Sequence, residues 1–348
     1  MPKYILHIGP PKSGSKYIQS QLFHSRAFLA TNGVLYPENW RTRPDKIWHD
    51  AVRDGLREGK DLKADFDDIN AKRAEKVILT CETCEAFDGL KLPELERLRE
   101  YIGPNPVEVV FYARRWSDRV PSDWRQRVMM GQYITFPEFY VRFLSNPEGT
   151  GEFNYSIVWD NYAKIFGRES LRIVSFSNLI DHNVDLFDHF CRAILGLKEA
   201  PQVEKGLIQK NAGPNMIDTE ILRDLNYLYY IDTSRIDHYT RVKFDRLKNK
   251  YDLSALTGHL QSDMREIKLK DNAVPLRTTW ERVSAYRDRL VSPEYGKEIF
   301  ERRDVDVNFV SQNYLFRPGV MDEVRNLYRF ISSEHVDAPD LQGLQANV

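Results

Sequence analysis

The sequence predicts an α/β protein, with a mostly parallel sheet flanked by helices and a helical region towards its C-terminal end. Three observations predict it. Short apolar runs alternate with helical periodicity through roughly the first 200 residues, which is the pattern of a parallel sheet covered on both faces. A glycine loop, Gly9-Pro10-Pro11-Lys12-Ser13-Gly14-Ser15, joins the first strand signal to the first helix signal. From Thr219 to about Leu290 the chain becomes strongly charged, with helical spacing and few strand signals.

The elements follow in order. Tyr4 to Ile8 is a short β-prone run, and Tyr17 to Leu29 has helical spacing through Ile18, Leu22 and Leu29. Residues 31–76 are polar and compatible with helices or loops. Val77 to Thr80 reads as a buried strand. Pro93 to Tyr101 reads as a helix with proline near its first turn. Val107 to Tyr112 is a second buried strand, introduced by the turn signal Gly103-Pro104-Asn105-Pro106. A helix is expected from near Asp118 to Met130, and another from Tyr155 to Phe166, stopped by Gly167. Leu171 to Phe176 is a third strand, and Val184 to Leu195 a helix. Asn308 to Phe316 and Met321 to Ile331 also read as helices. The expected organisation is a core over residues 1–215 and a helical region over 216–348 packed on it or forming a lid, or one domain overall.

Composition narrows the function. The chain has 348 residues, enough for one large α/β domain that buries its core without disulfides or metals. Its net charge of −1 gives no global attraction to nucleic acid or to an anionic membrane, so a site for a polyanion must come from a local cluster of bases. Three cysteines, Cys81, Cys84 and Cys191, imply no disulfide framework and fit a reducing compartment. The first apolar run is too short for a signal-peptide core, and no stretch is long enough to span a bilayer. The expectation is a cytoplasmic protein.

The glycine loop carries the chemistry. Glycine lets the backbone approach a phosphate closely, and a helix N-terminus offers unpaired N–H groups and partial positive charge. Lys12 adds a full charge, and Ser13 and Ser15 add hydroxyls. Gly9 and Gly14 have the spacing of a G-x-x-x-x-G-K-[ST] loop, but Ser15-Lys16 stands where Lys-Ser/Thr belongs. The loop is therefore P-loop-like, with its lysine displaced inward and no magnesium-binding hydroxyl directly after it. An ordinary strand-to-helix turn with surface polar residues is the bland alternative.

A lysine inside Pro11-Lys12-Ser13-Gly14-Ser15 resembles the loop of the sulfotransferase family, where it holds the 5′-phosphosulfate end of PAPS (3′-phosphoadenosine 5′-phosphosulfate). The family usually has a further Ser or Thr next, where this chain has Lys16, followed by Tyr17. A second mark of the family is an arginine ending a strand with a serine eight positions later, both on the 3′-phosphate. Here Val107–Tyr112 leads into Ala113-Arg114, and Ser122 follows at that spacing. Arg115 fits the spacing less well than Arg114. The resemblance extends through the run from Tyr155 to Leu197 and covers roughly residues 3–200. It implies PAPS as cofactor, Lys12 as the charge facing the leaving group, and a hydroxyl acceptor, of carbohydrate or small-molecule type. No nucleic-acid partner and no metal are expected.

The family's base is His in some branches and Glu in others. Glu82 follows the strand Val77–Thr80 and is the first candidate, with His49 second. His7 is expected to pack against the loop. Two other functions stay open from the residues alone: a P-loop kinase or nucleotide hydrolase, and a non-catalytic nucleotide-binding protein of the same fold. Cys81 and Cys84 form a C-x-x-C without further metal ligands at plausible spacing. The basic clusters at 241–250 and 265–270 read as solvated helix faces. Trp280, Tyr286 and the Tyr227–Tyr230 cluster are either an acceptor surface or core.

Overall fold

The computed structural model describes residues 1–38, 49–80, 90–147, 153–201 and 214–333. Its strands are β1 (Lys3–His7), β2 (Val34–Leu35), β3 (Lys76–Thr80), β4 (Val107–Ala113), β5 (Leu171–Ser175), β6 (Met264–Lys270), β7 (Leu290–Val291) and β8 (Asp304–Val310). The first helices are α1 (Ser15–His24), α2 (Arg26–Thr31), α3 (Asp50–Glu58), α4 (Lys63–Ala71), α5 (Leu92–Ile102), α6 (Trp116–Met129), α7 (Phe136–Ser145) and α8 (Tyr155–Phe166). They are followed by α9 (Phe176–Asp181), α10 (Leu186–His189), α11 (Met216–Thr233), α12 (Tyr239–Leu247), α13 (Ser254–Ser262), α14 (Arg277–Ser284) and α15 (Val320–Ser333).

The chain divides into two units. One comprises Met1–Trp116, Asn146–Lys210 and Asn272–Arg302; the other comprises Ser117–Ser145, Asn211–Asp271 and Arg303–Val348. This differs from the sequence expectation of a break near residue 215. Residues 272–302 belong with the sheet because they supply its edge strand β7, and 117–145 belong with the later helices.

The first unit holds a six-stranded sheet in the order β2-β3-β1-β4-β5-β7, with every pair parallel. β1 lies between β3 and β4, with His7 opposite Thr80 on one side and Val110 on the other. The chain works outward from β1 in both directions, so strand order reverses there. The crevice beyond the carboxyl ends of the strands at such a reversal is where open α/β sheets bind ligands.

Both faces of this sheet are buried, which is why its strands read as near-continuous apolar runs. On one face Ile5, Ile78, Val110 and Val174 pack with Ile18 and Leu22 of α1 and with Leu186 and Phe187 of α10. On the other, Phe111 meets Tyr155 and Trp159 of α8 at ring separations of 5.2 and 5.4 Å. Each such side chain contributes about 1.5–3 kcal/mol through burial. Glu108 is tolerated inside β4 because Lys3 of β1 and Arg172 of β5 lie within 2.7 and 2.9 Å of its carboxylate.

Several elements differ from the sequence reading. The helix expected over 17–29 is two helices, interrupted at Ser25, whose φ of −98° and ψ of 10° leave the helical range. The helix expected from Val184 begins at Leu186, because Asp185 caps it by accepting from the N–H groups of Phe187 and Asp188, and it continues through a π-helical turn, Phe190–Ile194. The second unit contains a two-stranded antiparallel ribbon, β6 with β8, where helix was expected. Its register sets Ile267 opposite Val307 and Leu269 opposite Val305, while Lys268 faces Asp306 and Lys270 faces Asp304. The period-two alternation is present, but the charged side is so dense that it masked the signal. β7 has two residues and was too short to leave one.

Candidate active site at the carboxyl edge of the sheet

The candidate site grows out of β1. After His7 the chain turns through residues 8–14 and enters α1. Pro10 and Pro11 have no N–H and restricted φ. Lys12 then takes a φ of 65° and Gly14 one of 79°. Gly14 is the N-cap of α1 and no side chain caps that helix, so the N–H groups of its first turn lie at the loop, at the positive end of the helix dipole. A side chain at Gly14 would be strained by its φ and would also bring a Cβ to 2.4 Å from Leu186 Cδ1 and 3.2 Å from Phe176 Cε2. Glycine is required there on both counts.

The side chains around the loop have distinct surroundings. Ser13 is fully buried and its hydroxyl finds no hydrogen-bond partner among the described residues. Ser15 is buried and its hydroxyl donates to the Pro10 carbonyl at 3.2 Å, closing the loop on itself. Pro11, Lys12 and Lys16 are half-buried. Tyr17 donates to the Asp185 carboxylate at 2.6 Å. Burial, followed by that carboxylate, pushes its phenol well above the usual range.

Arg114 follows β4, the strand beside β1, and one guanidinium nitrogen donates to the Lys12 carbonyl at 2.5 Å. Its carbon lies 5.5 Å from the centre of the Phe176 ring. The Arg114 backbone is held from both sides. Tyr155 Oη donates to the Arg114 carbonyl at 2.7 Å, and the Arg115 N–H donates to Ser177 Oγ at 3.0 Å. Arg115 is turned into the protein, donating at 2.6 Å to both the Asp181 carboxylate and the Glu301 carbonyl. Ser122 lies on α6 in the second unit and is half-buried.

Two histidines border this edge. His7 is enclosed, with rings of Tyr112 and Phe190 at 5.6 Å and no hydrogen-bond partner for either ring nitrogen among the described residues. Burial pushes its pKa down to about 4. His49 is fully buried; its Nδ1 accepts from the Thr80 N–H at 3.0 Å and its Nε2 lies 2.9 Å from the Pro37 carbonyl. An Nδ1 that accepts is unprotonated, so the ring is the neutral tautomer with its proton on Nε2. That arrangement ties Pro37 and His49 to the end of β3 and leaves neither nitrogen to take a proton from a substrate.

Glu82, Cys81 and Cys84 lie outside the described residues. Among the described residues no group of His, Cys, Asp and Glu is placed to hold a metal ion, and no helix is long and apolar enough to cross a membrane. Tyr286 is buried with its hydroxyl on Asp160 and serves the sheet unit's interior, whereas Trp280 is half-buried and packs on Trp116 and Phe300. Tyr227 and Tyr230 are exposed.

Sequence reasoning brought Lys12 and Arg114 into view and missed the groups that fix them. Tyr155, Phe176, Ser177 and Asp181 stand in segments that read as packing. The missing signal was the pairing of β5 with β4, which sets α9 beside the end of β4 and leaves no local mark in the chain.

No protein-family model matches the chain, and no curated protein matches it. Among solved structures it is similar to a sulfotransferase from Alicyclobacillus acidocaldarius, with 17% identity and a TM-score of 0.36, over 60% of this chain and 88% of that one. A likeness so remote carries no argument about chemistry, which rests on the residues described above.

Proposed function

We propose that this chain is a sulfotransferase that takes a sulfuryl group from PAPS and delivers it to a hydroxyl acceptor, a carbohydrate or another small molecule. One observation carries the reading. The arginine after β4 reaches the lysine loop after β1, at the carboxyl ends of neighbouring parallel strands. The two halves of the sequence pattern, about a hundred residues apart, thus meet at the edge where α/β sheets bind ligands. The buried Ser13 hydroxyl, without a partner among the described residues, fits a phosphate or sulfate oxygen.

PAPS supplies an activated sulfuryl group when bound. The chain's own residues hold charge and move a proton. Lys12 and the first-turn N–H groups of α1 form the positive end of the site, where negative charge on a departing oxygen is stabilised. Pro11, Gly14, Ser15, Lys16 and Tyr17 shape that loop and the start of α1. Arg114 offers a planar fork suited to the 3′-phosphate dianion. Removing the acceptor's proton needs a base. Glu82 takes that role ahead of His49, whose ring nitrogens are both engaged.

The reading is tested by thermal denaturation with adenosine 3′,5′-bisphosphate, compared with ATP and magnesium. A ligand at a hundred times its dissociation constant stabilises the folded state by about 2.7 kcal/mol, which is visible as a shift in Tm. The bisphosphate alone is expected to give the shift. A shift with ATP and magnesium only would replace the sulfotransferase with a kinase or nucleotide hydrolase.

A further inference from the structure

We infer that Arg114 sets the conformation of the phosphate loop and so couples the site for the nucleotide's 5′ end to the site for its 3′-phosphate. The inference rests on the sulfotransferase reading and adds a positioning role to the arginine.

Lys12 is the starting point. It carries a side chain yet takes a φ of 65°, a conformation disfavoured for any residue with a Cβ. Such a residue persists only where its surroundings hold it. The two residues before it are prolines, which contribute no N–H with which the loop could brace itself. The carbonyl of Lys12 is instead held from the neighbouring strand, by the Arg114 guanidinium. That bond fixes the peptide between Lys12 and Ser13. It therefore orients the next N–H groups, at the entrance of α1, and the buried Ser13 hydroxyl.

Arg114 is itself built to stay in place. Its carbonyl is held by Tyr155 and the next N–H by Ser177. Arg115 locks the following residue to Asp181 and to the Glu301 carbonyl. The Phe176 ring lies near the Arg114 guanidinium and beside Gly14, so one aromatic side chain supports both the arginine and the loop. A guanidinium has five N–H donors on different edges. It can serve the Lys12 carbonyl with one edge and a phosphate with another. A 3′-phosphate drawn to Arg114 then tightens the hold on Lys12, and a loop already filled by the 5′ group presents Arg114 in the correct pose.

The experiment compares wild type with Arg114→Ala and Arg114→Lys by calorimetric titration, using inorganic pyrophosphate, adenosine 5′-monophosphate and adenosine 3′,5′-bisphosphate. Hydrogen–deuterium exchange of the ligand-free loop is measured alongside. A hydrogen bond from a charged group supports a loss of about tenfold or more. The expected result is that loss for pyrophosphate and for the monophosphate, neither of which has a 3′ group, with faster exchange at residues 12–16 before any ligand is added. Arg114→Lys keeps the charge but not the fork, and is expected to behave like Arg114→Ala. It also serves if the alanine variant does not fold. Two results would overturn the inference. One is a loss confined to the bisphosphate with unchanged loop exchange. The other is full recovery of pyrophosphate affinity in Arg114→Lys, which would leave only a nearby charge. If wild type binds pyrophosphate but gains nothing from the nucleotide, the sulfotransferase reading fails while the pyrophosphate comparison still judges the role of Arg114.

Discussion

His7 shows how a single residue can tie the site to pH. Its ring is enclosed by Tyr112 and Phe190, and burial lowers its pKa to about 4 against an ordinary 6.5. The unfolded chain therefore binds a proton that the folded chain refuses. Stability from this group is fully present above pH 6.5 and is lost as pH falls towards 4, by an amount on the order of 3 kcal/mol. Equilibrium urea denaturation between pH 7 and 4.5 is expected to show that decline, and His7→Phe is expected to flatten it. The flattening will be partial, because His189 has its pKa lowered to about 4 by burial as well. An unchanged slope in the variant would place the acid sensitivity elsewhere. The base is a second question at this scale. Glu82→Gln is expected to keep nucleotide affinity and Tm while lowering turnover by at least about a hundredfold, the usual worth of a general base. His49→Gln is expected to do the reverse. It removes the acceptor for the Thr80 N–H and the donor to Pro37, so it costs about 1–3 kcal/mol of stability as buried backbone groups lose their partners. Normal turnover in Glu82→Gln would refute the assignment of Glu82.

The helix that begins at Gly14 links element to function. Its N-cap has no side chain to offer, so the helix dipole ends on bare backbone at the loop, and glycine is demanded by both φ and crowding. Gly14→Ala is expected to destabilise the protein by about 1–3 kcal/mol through positive φ and overpacking, and to remove the bisphosphate's thermal shift. Thermal and urea melts of the variant with and without ligand test both. β1, β3, β4 and β5 were legible because burial on both faces writes apolar runs into the chain, and α1, α5 and α8 because one buried face leaves a helical period. β6 and β8 were not, because only one side of their ribbon is apolar and the other carries cross-strand charges. The loop was legible because glycine, proline and lysine leave a local mark at fixed spacing. The apparatus holding Arg114 was not, since Tyr155, Ser177 and Asp181 come to it through the pairing of distant strands.

At the scale of the whole chain, the two units are discontinuous in sequence, which composition and periodicity could not reveal. The chain leaves the sheet unit at Ser117, returns at Asn146, leaves again at Asn211 and returns at Asn272. The units also differ in how they are built to meet acid. The sheet unit buries neutral histidines, His7 and His189, whose lowered pKa values make it lose stability as pH falls. The second unit buries Arg223 with two carboxylates. The guanidinium donates to Glu220 at 2.6 Å and to Asp224, and Tyr314 donates to Asp224 as well. Two carboxylates share one cation in a desolvated site, and burial raises the pKa of both above their ordinary values. A raised carboxyl pKa contributes stability below the unfolded value and loses it as pH rises through the folded one, so acid favours this unit. The expected outcome is that calorimetric unfolding, followed from pH 7 to pH 4.5, broadens or splits as the sheet unit's transition moves down while the other holds or rises. Arg223→Met supplies the control. Loss of the buried cation costs about 3–5 kcal/mol at pH 7, and the cost shrinks towards pH 4.5 as the stranded carboxylates take up protons. A loss that is the same at both pH values would mean that Glu220 and Asp224 do not titrate with the unit's folding, and the opposed response would be wrong.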